Sequence, residues 1–272
     1  MSVATRPSDS VSIEESCSSP LAMTDYEQFL FDLKGFLVIP GVLSEDESET
    51  VRNHVKAYTN DPESLPEHHR APMAGPAEFL IDHPRVMGIL QTLIDPDPGR
   101  IRLESVFVSQ RKVGDDAEHW RPHVGGTNLD PSLSYRFHNG RIYAGMTRIV
   151  WELNEVVKGK GGTCLVPGSH KANLTSAQTQ TWPEEADDPE SGVWETYGCP
   201  PGSLVVFSEG VRHTGSSWTH EGNPRCAILM AYNHQSVRFH EPKPCMNPTV
   251  IGGLSERRQG FFKDVWVLAN KR

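Results

Sequence analysis

The chain has 272 residues, a formal net charge of −9 and 22% charged residues. A negative balance of that size excludes a nucleic-acid polymer or an anionic membrane surface as a general partner, and no apolar run reaches the roughly 18 residues that a membrane span needs. The five cysteines are odd in number, scattered and without CxxC spacing, which fits a reducing compartment, the cytoplasm, and argues against a thiolate metal site.

The amino end lacks a basic-then-apolar signal pattern. Residues 1–23 hold seven serines and few large apolar side chains, the composition of a disordered tail, and residues 24–272 read as one domain. Thr24 with Glu27 forms a capping-box pattern, and Tyr26, Phe29, Leu30 and Leu33 give a helical stripe closed by Gly35. Residues 36–39 read as a strand stopped by Pro40 and Gly41. Ser44 with Glu47 repeats the capping pattern, with Val51, Val55 and Tyr58 on one face. Residues 60–78 are rich in Pro and His and read as loop. Pro84 suits the first turn of a third helix that carries Val86, Leu90, Leu93 and Ile94.

From Ile101 the texture turns to strands, with candidates at 101–109, 142–153, 163–166, 203–207, 226–232 and 265–268. Helices first and strands afterwards predict an α+β, mainly β fold, with the N-terminal helices packed on one antiparallel sheet. Gly159 to Gly162 reads as a hairpin turn, lacking the spacing of a phosphate loop. Residues 184–190 carry five acids between Trp182 and Trp194, either a solvated loop or a lid.

The stretch from Gly202 to Asn233 reads as strand, turn, strand, with His213 after the first run and Arg225 opening the second. It would carry an imidazole and a guanidinium into one cleft. Imidazole suits a first-row metal and guanidinium grips a carboxylate in two places. A second histidine candidate, His123, lies in EHWRPHVGGT. Twelve histidines occur, so a single one carries little weight, but a jelly roll would bring these distant segments together at its mouth.

Three stretches carry a resemblance: FDLKGFLVIPGVLSEDE from Phe31, GGTCLVPGSHK at 161–171, and GSLVVFSEGVRHTGSSWTHEGNPR from Gly202. Together they resemble the phytanoyl-CoA dioxygenase family of non-haem iron, 2-oxoglutarate-dependent oxygenases, over roughly residues 25–268. The resemblance implies a double-stranded β-helix (a cupin-like jelly roll), Fe(II), 2-oxoglutarate and O2 as cofactors, His123 and His213 as metal ligands, and Arg225 as the cosubstrate arginine. It implies more weakly that Gln110 holds the other end of the cosubstrate and that Ser216 adds a hydroxyl at the arginine end. Trp151 is open between core packing and lining the cosubstrate pocket, and His170 reads as structural.

The family's carboxylate ligand falls on Gly125, giving His-Val-Gly. This resembles the iron- and 2-oxoglutarate-dependent halogenases, and it implies an open metal position for chloride and transfer of chloride to a carbon whose hydrogen has been removed. Other readings stay open. Gly125 and Gly126 could form a simple turn, a carboxylate could arrive from Asp130, Glu118 or Asp116, and His119 could be the ligand in place of His123. Between Arg100 and Arg148 positive side chains exceed negative ones by three. Arg121 and Arg141 are therefore candidates for binding an anionic small-molecule substrate, a nucleotide among the options, with ordinary surface ion pairs as the plainer reading. A hydroxylase on the same scaffold and a jelly-roll binding protein without turnover are the alternatives.

Overall fold

The computed structural model describes residues 19–115, 120–124, 134–172, 183–239 and 247–265. Both capping boxes form. Thr24 and Glu27 open helix α1 (Asp25–Lys34), and Ser44 and Glu47 open α2 (Glu45–Asn60), each pair satisfying two backbone donors that the helix start would otherwise leave unbonded. Gly35 closes α1 at φ 83, and a side chain there would strike the imidazole of His170 at 2.5 Å and the Val211 side chain at 2.4 Å. Helix α3 (Pro84–Leu93) buries Val86, Leu90 and Leu93 completely.

Two expectations need correction at this end. The stripe on α1 does not face inward: Tyr26, Phe29 and Leu33 are 68%, 60% and 52% exposed, and Phe31 is the fully buried anchor. The helix is a thin cover held by one aromatic ring and by half-buried Leu30. Of the tail expected over 1–23, residues 1–18 lie outside the described residues, while its last part is docked. The Leu21 N–H donates to the Pro84 carbonyl at 3.0 Å, Arg85 donates to the carbonyls of Leu21 and Ala22, and Met23 joins the core.

Five strands make the main sheet, β1 (Phe36–Ile39), β2 (Ile101–Arg111), β5 (Thr147–Glu152), β7 (Ser203–Ser208) and β9 (Arg225–His234), in the order β1-β7-β5-β9-β2 with every pair antiparallel. β3 (Arg136–His138) and β4 (Arg141–Tyr143) form a hairpin, and β6 (Gly162–Leu165) pairs with β8 (His213–Ser216). The strand expected over 142–153 is broken into β4 and β5 at Gly145, which sits at φ 68. β3 and β8 were not anticipated. β8 reads His-Thr-Gly-Ser, with no apolar alternation to reveal it. Val265 lies outside any strand, and the rest of the strand expected over 265–268 falls outside the described residues.

The pleat sorts the main sheet into two faces, because successive side chains point to opposite sides. Leu37, Ile149, Trp151, Leu204, Val206, Ile228, Met230 and Tyr232 join the helices in the large core. Phe36, Val150, Val205, Phe207, Ala227 and Leu229 face the other way, toward β6 and β8, in a second cluster. The fold is a mainly antiparallel jelly roll with helices on one side, and its cleft lies between the second face and the small sheet.

Candidate functional site

His213 opens β8, and His123 lies beside it on the side away from β6. Their backbones exchange both hydrogen bonds, at 3.0 and 2.9 Å, the narrow antiparallel pairing that sets two residues directly opposite. The rings stand 4.2 Å apart between centroids, tilted by 56°. Each ring is oriented the same way. The Nδ1 of His123 lies 2.7 Å from the Arg121 carbonyl, and the Nδ1 of His213 lies 2.7 Å from the Val211 carbonyl. A carbonyl only accepts, so Nδ1 carries the proton and Nε2 keeps its lone pair, the form in which a histidine binds a metal. His213 is buried and His123 is exposed, so the pair opens to solvent on the His123 side. Burial pushes His213 down to about 4, which keeps it neutral.

Glu209, four residues before His213, was not singled out from the sequence. Its Oε2 lies 3.5 Å from the His213 Nε2, and its Oε1 accepts from the Arg148 Nε. Burial would raise this carboxyl, but the positive charge of Arg148 outweighs burial and holds it below the usual range. Among the described residues, no three His, Cys, Asp or Glu side chains converge closely enough to hold a metal ion. The donor set within them is two imidazoles, which suits a first-row divalent ion. Gly125, Asp116, Glu118, His119 and Asp130 all lie outside the described residues.

Arg225 opens β9 on the cleft face and is buried against Glu152 of β5. Its Nε donates to Glu152 Oε2 at 3.3 Å and its Nη2 donates to Glu152 Oε1. Nη1 reaches Ser109 Oγ and Nη2 reaches Thr163 Oγ1, both at 3.3 Å. Tyr197 donates its hydroxyl to Glu152 Oε1 at 2.7 Å. Burial would lower Arg225, but the Glu152 charge more than reverses this. Ser216 donates to the Gly162 carbonyl at 3.4 Å at the far end of β8.

Two sequence candidates stand away from the cleft. Trp151 is fully buried on the helix side, its ring 5.3 Å from that of His83, so of its two readings the core is where it lies. Gln110 is exposed, and its register partner Cys226 belongs to the helix-side core. The pleat turns Ser109 and Arg111, its neighbours, toward Arg225 and Gly215 instead. Glu152 likewise sits one residue from Trp151. In both strands the chemistry-bearing residue is the adjacent one on the alternate face.

Three of the eight basic side chains between Arg100 and Arg148 are held in ion pairs. Arg100 meets Asp95 and Asp97, Arg102 meets Glu104, and Arg148 meets Glu209. Arg121 and Arg141 are both exposed. The Arg121 backbone N–H donates to Thr214 Oγ1 at 2.8 Å, and Arg141 stands opposite His138 in the register of the hairpin. The acidic insert is not simply solvated. Its short helix α4 (Glu184–Asp187) ends in Asp187, which takes a two-point grip from Arg212, the residue before His213. The carbonyl of Asp187 accepts from the Trp120 indole at 2.8 Å, and Trp120 packs against Trp194 at 4.9 Å.

The class defined so far is a jelly roll with two Nε2-presenting imidazoles at its mouth and a buried arginine on the cleft face of the main sheet. The sequence matches the family model "Phytanoyl-CoA dioxygenase (PhyH)" over residues 31–225, and the chain belongs to that family. Among solved structures, HygX from Streptomyces hygroscopicus with nickel, 2-oxoglutarate and hygromycin B bound is similar at 20% identity and a TM-score of 0.64, covering 84% of this chain and 94% of that one. A "non-heme alpha ketoglutarate dependent carbocyclase", SnoK from nogalamycin biosynthesis, is similar at 16% identity and a TM-score of 0.59, covering 82% and 90%. At such identities the likeness speaks for the fold. No curated protein is significantly similar in sequence.

Proposed function

We propose that this protein is an Fe(II)- and 2-oxoglutarate-dependent oxidoreductase acting on an unactivated C–H bond of a free-standing, anionic small molecule in the cytoplasm, and that it transfers chloride to that carbon. The observation that carries the metal reading is the pair His123 and His213, each with Nδ1 tied to a backbone carbonyl and Nε2 left for an ion. When bound, Fe(II) with 2-oxoglutarate and O2 supplies the oxidising power to remove a hydrogen atom from carbon, with succinate and carbon dioxide as coproducts. The chain's own part is to hold, orient and shield. His213 would hold the ion from the buried side and His123 from the open side. Phe107, 47% exposed on the Ser105–Ser109 face of β2 with Arg148 stacked on it at 5.3 Å, offers an apolar wall for substrate. Arg121 and Arg141 remain the candidates for its anionic group.

The chloride reading rests on Gly125, two residues after His123. An aspartate there would bring a ligand oxygen and a negative charge, whereas glycine leaves room and no charge, which an anion beside the metal requires. Product analysis with and without chloride tests it. Wild type should yield a chlorinated product only with chloride present, and Gly125→Asp should lose that product. Hydroxylated product alone at high chloride would overturn the assignment.

One observation favours hydroxylation as the second reading. Glu209 lies next to the His213 Nε2 and could complete a two-histidine, one-carboxylate set by releasing Arg148. If it does, the wild type should turn over without chloride dependence, and Glu209→Gln should lower metal affinity by roughly 10–100-fold.

A further inference from the structure

The guanidinium expected to grip the cosubstrate is already engaged. A guanidinium has five N–H donors. Glu152, Thr163 and Ser109 occupy four of those on Arg225, leaving one on Nη1, and the Glu152 carboxylate balances the charge. Directly across the β2–β9 ladder stands a second arginine, Arg111. Its Nη1 is buried and has no hydrogen-bond partner among the described residues. Its guanidinium lies against Gly215, with Nη2 2.9 Å and Nη1 3.2 Å from where a side chain of that residue would begin. Like charges directly opposite each other on neighbouring strands repel, and a buried donor without an acceptor is costly. Among the described residues, two arginines here share one buried glutamate. Asp115 lies on the exposed turn after β2, where it caps the Lys112 N–H, and acts on Arg111 more weakly than Arg225 does. Gly215 is two residues beyond His213 on β8, a span of about 6.6 Å along a strand. That is the reach of a short dicarboxylate whose other end meets the metal.

We propose that Arg111, rather than Arg225, supplies the charge that holds the distal carboxylate of the 2-oxo diacid, with the remaining Arg225 Nη1 donor beside it, while Arg225 and Glu152 form a fixed wall of the site. The proposal rests on the iron and 2-oxoglutarate reading above and names a residue for it. Two features support it together: the orphaned nitrogen, and glycine at 215, the residue whose missing side chain makes room for the guanidinium. Burial and then the Arg225 charge hold Arg111 below its ordinary value, with Asp115 opposing them only in part.

The test is calorimetric binding to the nickel-loaded full chain, with 2-oxoglutarate and with 2-oxopentanoate, which keeps the chelating end and chain length but lacks the distal carboxylate. Arg111→Gln should weaken 2-oxoglutarate by roughly 10–100-fold, leave 2-oxopentanoate unchanged and leave nickel binding unchanged. Without ligands, this variant should unfold no earlier than wild type, since it relieves a buried repulsion, and its melting point should rise less with a given concentration of 2-oxoglutarate than that of wild type. Unchanged 2-oxoglutarate affinity in Arg111→Gln, or equal weakening of both keto acids, overturns the proposal. A nickel-loaded wild type that binds neither keto acid overturns the underlying reading and this inference with it.

Discussion

Arg225 and Glu152 lie on neighbouring strands, β9 and β5, and face each other as fork to fork, with side-chain exposures of 3% and 0%. Breaking a buried pair by removing one partner leaves the other charge without compensation and costs about 3–5 kcal/mol. Arg225→Gln and Glu152→Gln should each destabilise the protein on that scale in denaturant unfolding. The double variant should recover part of the loss, because neither charge is then stranded. A single variant as stable as wild type would mean the pair is not formed.

Asp187 fastens the acidic insert to the residue preceding His213. The grip is two-pointed, with one distance of 2.6 Å from the Arg212 Nε, and Asp187 retains about a third of its exposure. The insert's other ties here are the carbonyl bonds to the Trp120 and Trp194 indoles. Asp187→Asn should therefore loosen the segment locally with little effect on global stability. Cleavage by a glutamyl endopeptidase at Glu185 or Glu190 should become several-fold faster while the melting point barely moves. Equal cleavage rates would assign the docking to the tryptophans alone.

What could be read from the sequence was what repeats or caps. Ser44 and Glu47 announced a helix start, Pro84 a first turn, and the Val-rich run at 203–207 a core strand. The apolar stripe on α1 misled because periodicity shows which residues share a face and not whether a neighbour covers it. β8 stayed hidden because His213–Ser216 pairs in a small sheet at the mouth with little apolar side chain to bury. In the site, His123, His213 and Arg225 could be named from motifs, but Glu152, Glu209 and Arg111 could not. Glu209 sits in the turn after β7, while Glu152 and Arg111 owe their places to strand register: a shift of one residue moves a side chain to the other face, so Gln110 and Trp151 stood one step from the residues that line the cleft.

His170 supplies a pH-sensitive buried group away from the metal pair. Its Nε2–H donates to the Asp32 carbonyl at 3.1 Å, its ring meets Tyr135 edge-on at 4.5 Å, and its Nδ1 is buried without a partner. Burial first, and then the Lys171 charge, push it down to about 4 from an ordinary 6.5. The neutral ring is thus favoured in the folded state, and the unfolded chain takes up the proton first as pH falls. Stability is fully present above pH 6.5 and is lost progressively down to about pH 4, at up to about 1.4 kcal/mol per pH unit from this group. His170→Asn cannot take up that proton. Comparing unfolding free energies at pH 7 and pH 5, the variant should lose about 1–2 kcal/mol less than wild type. An identical pH dependence would remove His170 from the account.

The two imidazoles differ in burial, and this separates metal binding from folding. His213 is buried between Phe207, at 4.8 Å between ring centroids, and the Glu209–Arg148 pair, so its removal opens a cavity and disturbs a charged network. His123 is exposed, and the hydrogen bonds that join it to β8 are made by its backbone, which the loss of the ring leaves in place. His123→Ala should melt within a degree or two of wild type without metal, while His213→Ala should be clearly destabilised. Metal reverses the comparison. A divalent ion at 100 times its dissociation constant stabilises wild type by about 2.7 kcal/mol, and adding Fe(II) under nitrogen, or Ni(II), should raise its melting point by several degrees. His123→Ala should show no such rise and should retain no metal through dialysis, despite an intact fold. If His123→Ala is still stabilised by the ion as strongly as wild type, the metal sits elsewhere and the two-imidazole site is wrong.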